Sequence, residues 1–129
     1  PFDTYRANLQ KCLIQNSNLL IIGYGFADYY VNNILNQFNK IHKENTRVNI
    51  IDFEDETAWK DLKFDPFKPN SNRWATIYNL FKDSSFESIF RKDYTSPQLF
   101  NNNINKLWLK GFKDVAENHL SEIIETYSR

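Results

Sequence analysis

The sequence predicts an α/β fold: a partial parallel sheet started by one βαβ unit, followed by a mainly helical C-terminal part. Three observations carry this. "LLII" (19–22) and "TRVNIIDF" (46–53) are apolar runs of strand length. The segment between them repeats apolar residues at helical spacing. After residue 60, aromatic and aliphatic residues recur every three or four positions rather than every two.

The elements follow in order. Residues 3–16 read as a helix, with Asp3 as its cap and Tyr5, Leu9, Cys12 and Leu13 on one face. Asn16, Ser17 and Asn18 break it. The unbroken "LLII" predicts a strand covered on both faces. "GYGFA" (23–27) is a turn, and Asp28 caps the next helix. Val31, Ile34, Leu35, Phe38 and Ile41 form that helix's apolar stripe, and His42 and Lys43 suit its C-terminal dipole. A helix between two apolar strands makes the strands parallel neighbours.

Beyond the second strand, "EDETAWKDL" (54–62) suggests a short helix, and "KFDPFKPNSN" (63–72) a loop. Trp74, Ile77, Tyr78 and Phe81 have helical spacing, as do Phe86, Ile89 and Phe90. Residues 102–127 read as one long amphipathic helix whose stripe includes Ile104, Leu107, Trp108, Val115, His119, Leu120, Ile123 and Ile124, with Gly111 inside it. Two parallel strands are too few for a stable sheet. The missing strands are expected from a preceding half of the same protein or from a second copy, with an open edge beside 19–22 or 48–52. The absence of Met and the start at Pro1 fit a fragment, or equally an initiator Met removed before Pro.

Composition narrows the functional classes. At 129 residues, 41% hydrophobic and 25% charged, the chain reads as one soluble globular unit or part of one. Its formal net charge of zero argues against duplex DNA or an anionic membrane as partner. Cys12 is the only cysteine, which fits a reducing, cytoplasmic setting and leaves no thiolate set for a structural zinc site. "PFDTYRANLQ" lacks the pattern of a signal peptide, and no apolar run has the length of a membrane span. Basic and aromatic residues interleave over 72–94, a pattern that can stack single-stranded nucleic acid. Core aromatics under a solvated charged face explain it more simply, so nucleic acid is not the expected partner.

The glycine turn is the candidate site. Gly23 and Gly25, between strand and helix, let backbone N–H groups approach an anion. The same glycines also serve a tight connection without a ligand. A third glycine of the dinucleotide fingerprint would stand at residue 28, where Asp28 instead repels a phosphate. Asp52 ends the second strand, where open α/β sheets bind ligands, and its carboxylate can accept ribose hydroxyls. From position alone, capping the following helix, with Glu54 and Asp55 as further first-turn acids, is the simpler role. His119, on an apolar stripe, reads as a packed histidine rather than a catalyst.

The run "LLIIGYGFADYYVNNIL" (19–35) followed by "RVNIIDF" (47–53) resembles the second half of a sirtuin-like NAD-binding domain. It is similar to bacterial sirtuin-like proteins of antiphage defence, whose turn reads Gly-Tyr-Gly/Ser-hydrophobic-x-Asp followed by Ile/Val-Asn. Gly23, Tyr24, Gly25, Phe26, Asp28, Val31 and Asn32 carry the likeness, which covers about residues 1–60.

The resemblance implies a partial Rossmann-like sheet. Residues 1–62 would be the C-terminal half of the NAD-binding domain and 63–129 a helical extension. It further implies that Gly23, Tyr24, Gly25 and Phe26 face the NAD phosphates and ribose and that Asp52 takes the adenosine side, where sirtuins carry Asn. The parent protein would hydrolyse NAD to nicotinamide and ADP-ribose, with its catalytic residues in the other half. Asn32 is expected to bond backbone within the turn. The alternative is a non-enzymatic module on a βαβ frame that binds protein or nucleic acid.

Overall fold

The computed structural model describes residues 2–62, 72–81 and 93–128. Helix α1 (Phe2–Gln15) opens the chain, with Asp3 in its first turn rather than at its cap. Strand β1 (Asn18–Ile22) and helix α2 (Tyr29–His42) follow. Asp28 caps α2 as expected, accepting from the N–H groups of Tyr30 and Val31. A 3₁₀ turn at Lys43–Asn45 leads into β2 (Arg47–Ile51), and α3 (Glu56–Lys60) is short. Asp55, not Asp52, caps α3 by accepting from the Ala58 N–H. Helix α4 (Arg73–Leu80) carries the expected Trp74 and Ile77 into the core. Of the loop expected over 63–72 only Asn72 is described, capping α4 by accepting from the Ala75 N–H; residues 63–71 and the helix expected around Phe86, Ile89 and Phe90 lie outside the described residues.

The C-terminal part departs from the single long helix expected over 102–127. Strands β3 (Gln98–Phe100) and β4 (Asn105–Trp108) form a hairpin, and the helices α5 (Gly111–Asn118) and α6 (Leu120–Tyr127) come after it. Ile104, Leu107 and Trp108 fit a helical stripe, but a short apolar run fits a strand equally. Two local features decide for the strand. Asn101, Asn102 and Asn103 all take left-handed φ values of 51°, 56° and 66° and turn the chain back. Gly111, at φ +88°, marks the start of α5 rather than its interior.

All four strands join one sheet in the order β1-β2-β4-β3. Its first three strands are mutually parallel, and β3 runs antiparallel to β4. The βαβ unit is therefore present, and β4 supplies the neighbour that two strands lacked. Alternating residues of β2 and β4 serve two cores. Ile50 and Leu107 face α1, α2 and α4, packing with Leu13, Ile21, Ile34, Phe38, Trp59, Trp74 and Ile77. Ile51 and Trp108 face Val115 of α5 and Ile123 of α6. The sheet is thus a middle layer between helices.

A buried amide joins the halves. Asn105 Oδ1 accepts the Val48 N–H at 2.8 Å, and its Nδ2 donates to Thr46 Oγ1 at 3.0 Å.

β1 is an edge strand covered on one face only. Ile21 is buried, whereas Leu20 and Ile22 are exposed, so the expected two-sided burial is corrected. Cys12 is also exposed, not buried on the helix face predicted for it, and Ile41 lies outside the buried part of its stripe. The strand is flanked by neither proline nor charge, the devices that normally protect an edge. No described helix is long and apolar enough to cross a membrane.

Candidate functional site

The parallel strands β1, β2 and β4 end on the same side of the sheet. The Gly23 N–H donates to Ile51 O at 3.0 Å, extending the β1–β2 ladder by one step. This places Gly23 beside Asp52. Gly23 has φ +63°, which only glycine adopts freely. Gly25 has no such φ. A methyl group placed on either glycine would meet no heavy atom within 4 Å, so the turn presents open backbone.

The two aromatics of the turn hold its shape. Phe26 is buried in the core at φ +59°, and its carbonyl accepts from Asn32 Nδ2 at 2.9 Å. The Tyr24 ring lies 4.8 Å from that of Phe26. Its hydroxyl accepts the Asp28 N–H at 3.2 Å and donates toward Asn32 Oδ1 at 2.9 Å and Asp28 O at 3.0 Å. Burial raises the Tyr24 pKa above its ordinary value, keeping the phenol protonated. Asn32 bonds within the turn as the sequence suggests.

Asp28 occupies the N-terminus of α2. Its Oδ1 takes the N–H groups of Tyr30 (2.9 Å) and Val31 (3.2 Å), the donors an incoming phosphate would use. An anion has room beside the backbone at Gly25 but not at the helix terminus itself.

Asp52 stands at the end of β2 and is 9% exposed. Its Oδ1 accepts the Phe53 N–H at 2.7 Å, but its buried Oδ2 has no hydrogen-bond partner. Arg73 Nε lies 3.8 Å from Oδ2: close enough to offset charge, too far for a hydrogen bond. Arg73 also donates to Phe53 O and lies 3.5 Å from Glu54 Oε2, which accepts from Trp74 Nε1 at 3.0 Å. Three backbone bonds pin this loop to the end of β4: Asp52 N–H to Trp108 O, Glu54 N–H to Leu109 O and Gly111 N–H to Asp52 O. The carboxylate is therefore held on rigid backbone, with one acceptor unsatisfied.

The structure brings all five predicted site residues to one end of the sheet. Gly25 and Asp52 present groups a ligand can use; the Gly23 N–H is spent on Ile51 O, and Tyr24 and Phe26 turn inward and brace. Sequence reasoning missed Arg73 and Glu54 as companions of Asp52, since their contacts join α4 to a strand end 20 residues earlier. The only sequence signal was a charged residue at the start of a helix.

The histidines lie elsewhere. His42 Nε2 meets Leu13 O at 2.7 Å. His119 joins α5 to α6 rather than sitting inside one helix. Its ring lies 4.8 Å from that of Trp108, with Nδ1 3.0 Å from Glu122 and Nε2 3.6 Å from Asp114. Among the described residues no group of three or more His, Cys, Asp or Glu side chains could hold a metal ion. No family model, curated protein or solved structure matches the chain.

Proposed function

We propose that the chain is the second half of a sirtuin-like NAD-binding domain, and that in the whole protein the Gly23–Asp52 end of the sheet cradles NAD. The catalytic residues for hydrolysis to nicotinamide and ADP-ribose would come from the other half, in a cytoplasmic antiphage response. The observation that carries this is Asp52 Oδ2. A buried carboxylate oxygen without a hydrogen-bond donor is costly, and a ribose hydroxyl would supply the missing O–H once the Arg73 side chain, 3.8 Å away, gives it access. The open turn beside it leaves room for the phosphates. Asp28 directs them to the turn backbone and away from the tip of α2.

Two outcomes test the reading. In the full-length protein, Asp52→Ala should weaken ADP-ribose binding by about 1–3 kcal/mol, the worth of hydrogen bonds to a charged group. Calorimetric titration measures this, and unchanged affinity with an intact fold counts against the ribose contact. The 129-residue chain alone should release no nicotinamide from NAD, because neither histidine reaches the turn. Turnover that survives repurification and disappears on mutating this chain would contradict the division of labour.

A non-enzymatic interaction module is the second reading. The bare apolar edge at Leu20 and Ile22 favours it. The edge equally suits the missing half of the domain or a second copy, and either would leave the Asp52 site intact.

A further inference from the structure

At the opposite end of the sheet, a cleft of about 550 Å³ opens between the C-terminal half of α2, the end of α4 and the β3–β4 turn. Its size is that of a small-molecule site. Amides dominate the walls: Asn36, Asn39, Asn79 and Asn101 line it with Lys40 and Lys43.

Three of these amides are fixed. Asn39 Nδ2 donates to Leu80 O at 2.6 Å, tying α2 to α4. Asn79 Nδ2 donates to Ala75 O at 2.8 Å. Asn101 Nδ2 donates to Glu44 O and Thr46 O at 3.1 and 3.0 Å. With at least one N–H of each amide committed to backbone, these side chains are held in set positions and retain Oδ1 acceptors. Such acceptors match a ligand rich in O–H donors.

The charge is also organised. Among the described residues neither Lys40 nor Lys43 has an ion-pair partner, and the single acid on the wall, Glu44, leaves the cleft one positive charge in excess. One residue here has an unusual backbone. Lys43 sits at φ 50°, ψ −125°, a conformation lysine rarely adopts. Strain of this kind persists where surrounding structure enforces it, often at ligand sites. Leu80 adds an apolar surface for ring C–H groups.

We infer that this cleft binds an anionic polyol, a sugar bearing a phosphate or carboxylate, with the asparagine Oδ1 atoms accepting its hydroxyls and Lys40 and Lys43 taking its charge. The site is separate from the Asp52 mouth.

The test is calorimetric titration of the full chain with glucose 6-phosphate, glucuronate, glucose and inorganic phosphate. Glucose 6-phosphate or glucuronate should bind more tightly than both glucose and phosphate, and their ranking tells which anion the lysines prefer. A Lys40→Gln/Lys43→Gln double variant should lose about tenfold or more of that affinity. Asn79→Ala should lose roughly threefold or more for the sugar anion while leaving inorganic phosphate unchanged. Asn36→Ala, which breaks no internal hydrogen bond, repeats the measurement if Asn79→Ala lowers the melting temperature. Asp52→Ala should leave all four titrations unchanged. Equal affinity for phosphate and sugar phosphate, insensitivity to the double lysine change, or no binding at millimolar concentration overturns the inference.

Discussion

Gly25→Val should leave the fold intact and sharply weaken NAD binding in the full-length protein. The usual objection to such a change is that it breaks the turn. Here Gly25 lacks the left-handed φ that a β-branched residue would resist, and a new Cβ at this position meets nothing within 4 Å. The melting temperature should therefore stay within about 2 °C of wild type, since surface changes away from special features cost little. The isopropyl group would nevertheless fill the space a phosphate needs against the backbone. Loss of charge-assisted bonds to the turn is worth roughly 1.5–3 kcal/mol, or about 10- to 150-fold in affinity. Gly23→Val is the matched contrast. Its φ of +63° makes that change strained whatever the ligand does, so stability and binding should fall together. If Gly25→Val folds normally and binds NAD unchanged, the turn is only a connection, and the NAD reading falls with it.

Trp108→Ala should be the most damaging single change to stability among those considered. Trp108 is 3% exposed and sits where β4 meets the second core, against Ile51, Val115 and Ile123. Its Nε1 donates to Asn49 Oδ1 at 3.0 Å, and Asn49 is wholly buried. Removing the indole opens a cavity at a cost of about 3–5 kcal/mol. It also strips a buried acceptor of its partner. For a chain of this length the melting temperature should fall by roughly 10–20 °C. Trp108→Phe separates the contributions, because it keeps most of the packing and loses the Asn49 bond. Thermal unfolding followed by circular dichroism measures both. A Trp108→Ala protein that melts within a few degrees of wild type would mean that α5 and α6 contribute little to the fold.

The N-terminal 62 residues were legible because their signals are local. Asp28 precedes a stripe of helical period, and the two apolar runs are too short for helices. The residues after 100 were not. Asn105, Leu107 and Trp108 look helical in one dimension, and what makes them a strand is the exposed ladder of β2, more than fifty residues earlier. Sequence periodicity does not register a partner at that distance. The asparagine turn at 101–103 carries one local signal, since consecutive asparagines readily accept left-handed backbone.

At the site, the strand–turn–helix pattern put Gly23 and Asp52 at the carboxyl ends of neighbouring strands, where they lie. That pattern does not show that Tyr24 and Phe26 face inward, because this depends on Asn32 and Asp28 folding back over them. Arg73 reaches Asp52 through tertiary packing, which no spacing encodes.

The strand order has a consequence for how the chain acquires its structure. β2 lies at the centre of the sheet, yet one of its neighbours, β1, precedes it closely while the other, β4, follows only after a separation of 57 residues, as between Val48 and Asn105. During synthesis, β1, α2 and β2 can assemble while one side of β2 still waits for its mate. Pairing across so long an intervening segment is slow, because closure entropy is spent before contacts repay it. The nascent N-terminal part therefore passes through an interval in which Val48, Ile50 and Ile51 are incompletely shielded, and a ribosome stalled before residue 105 would hold a sticky, half-finished sheet.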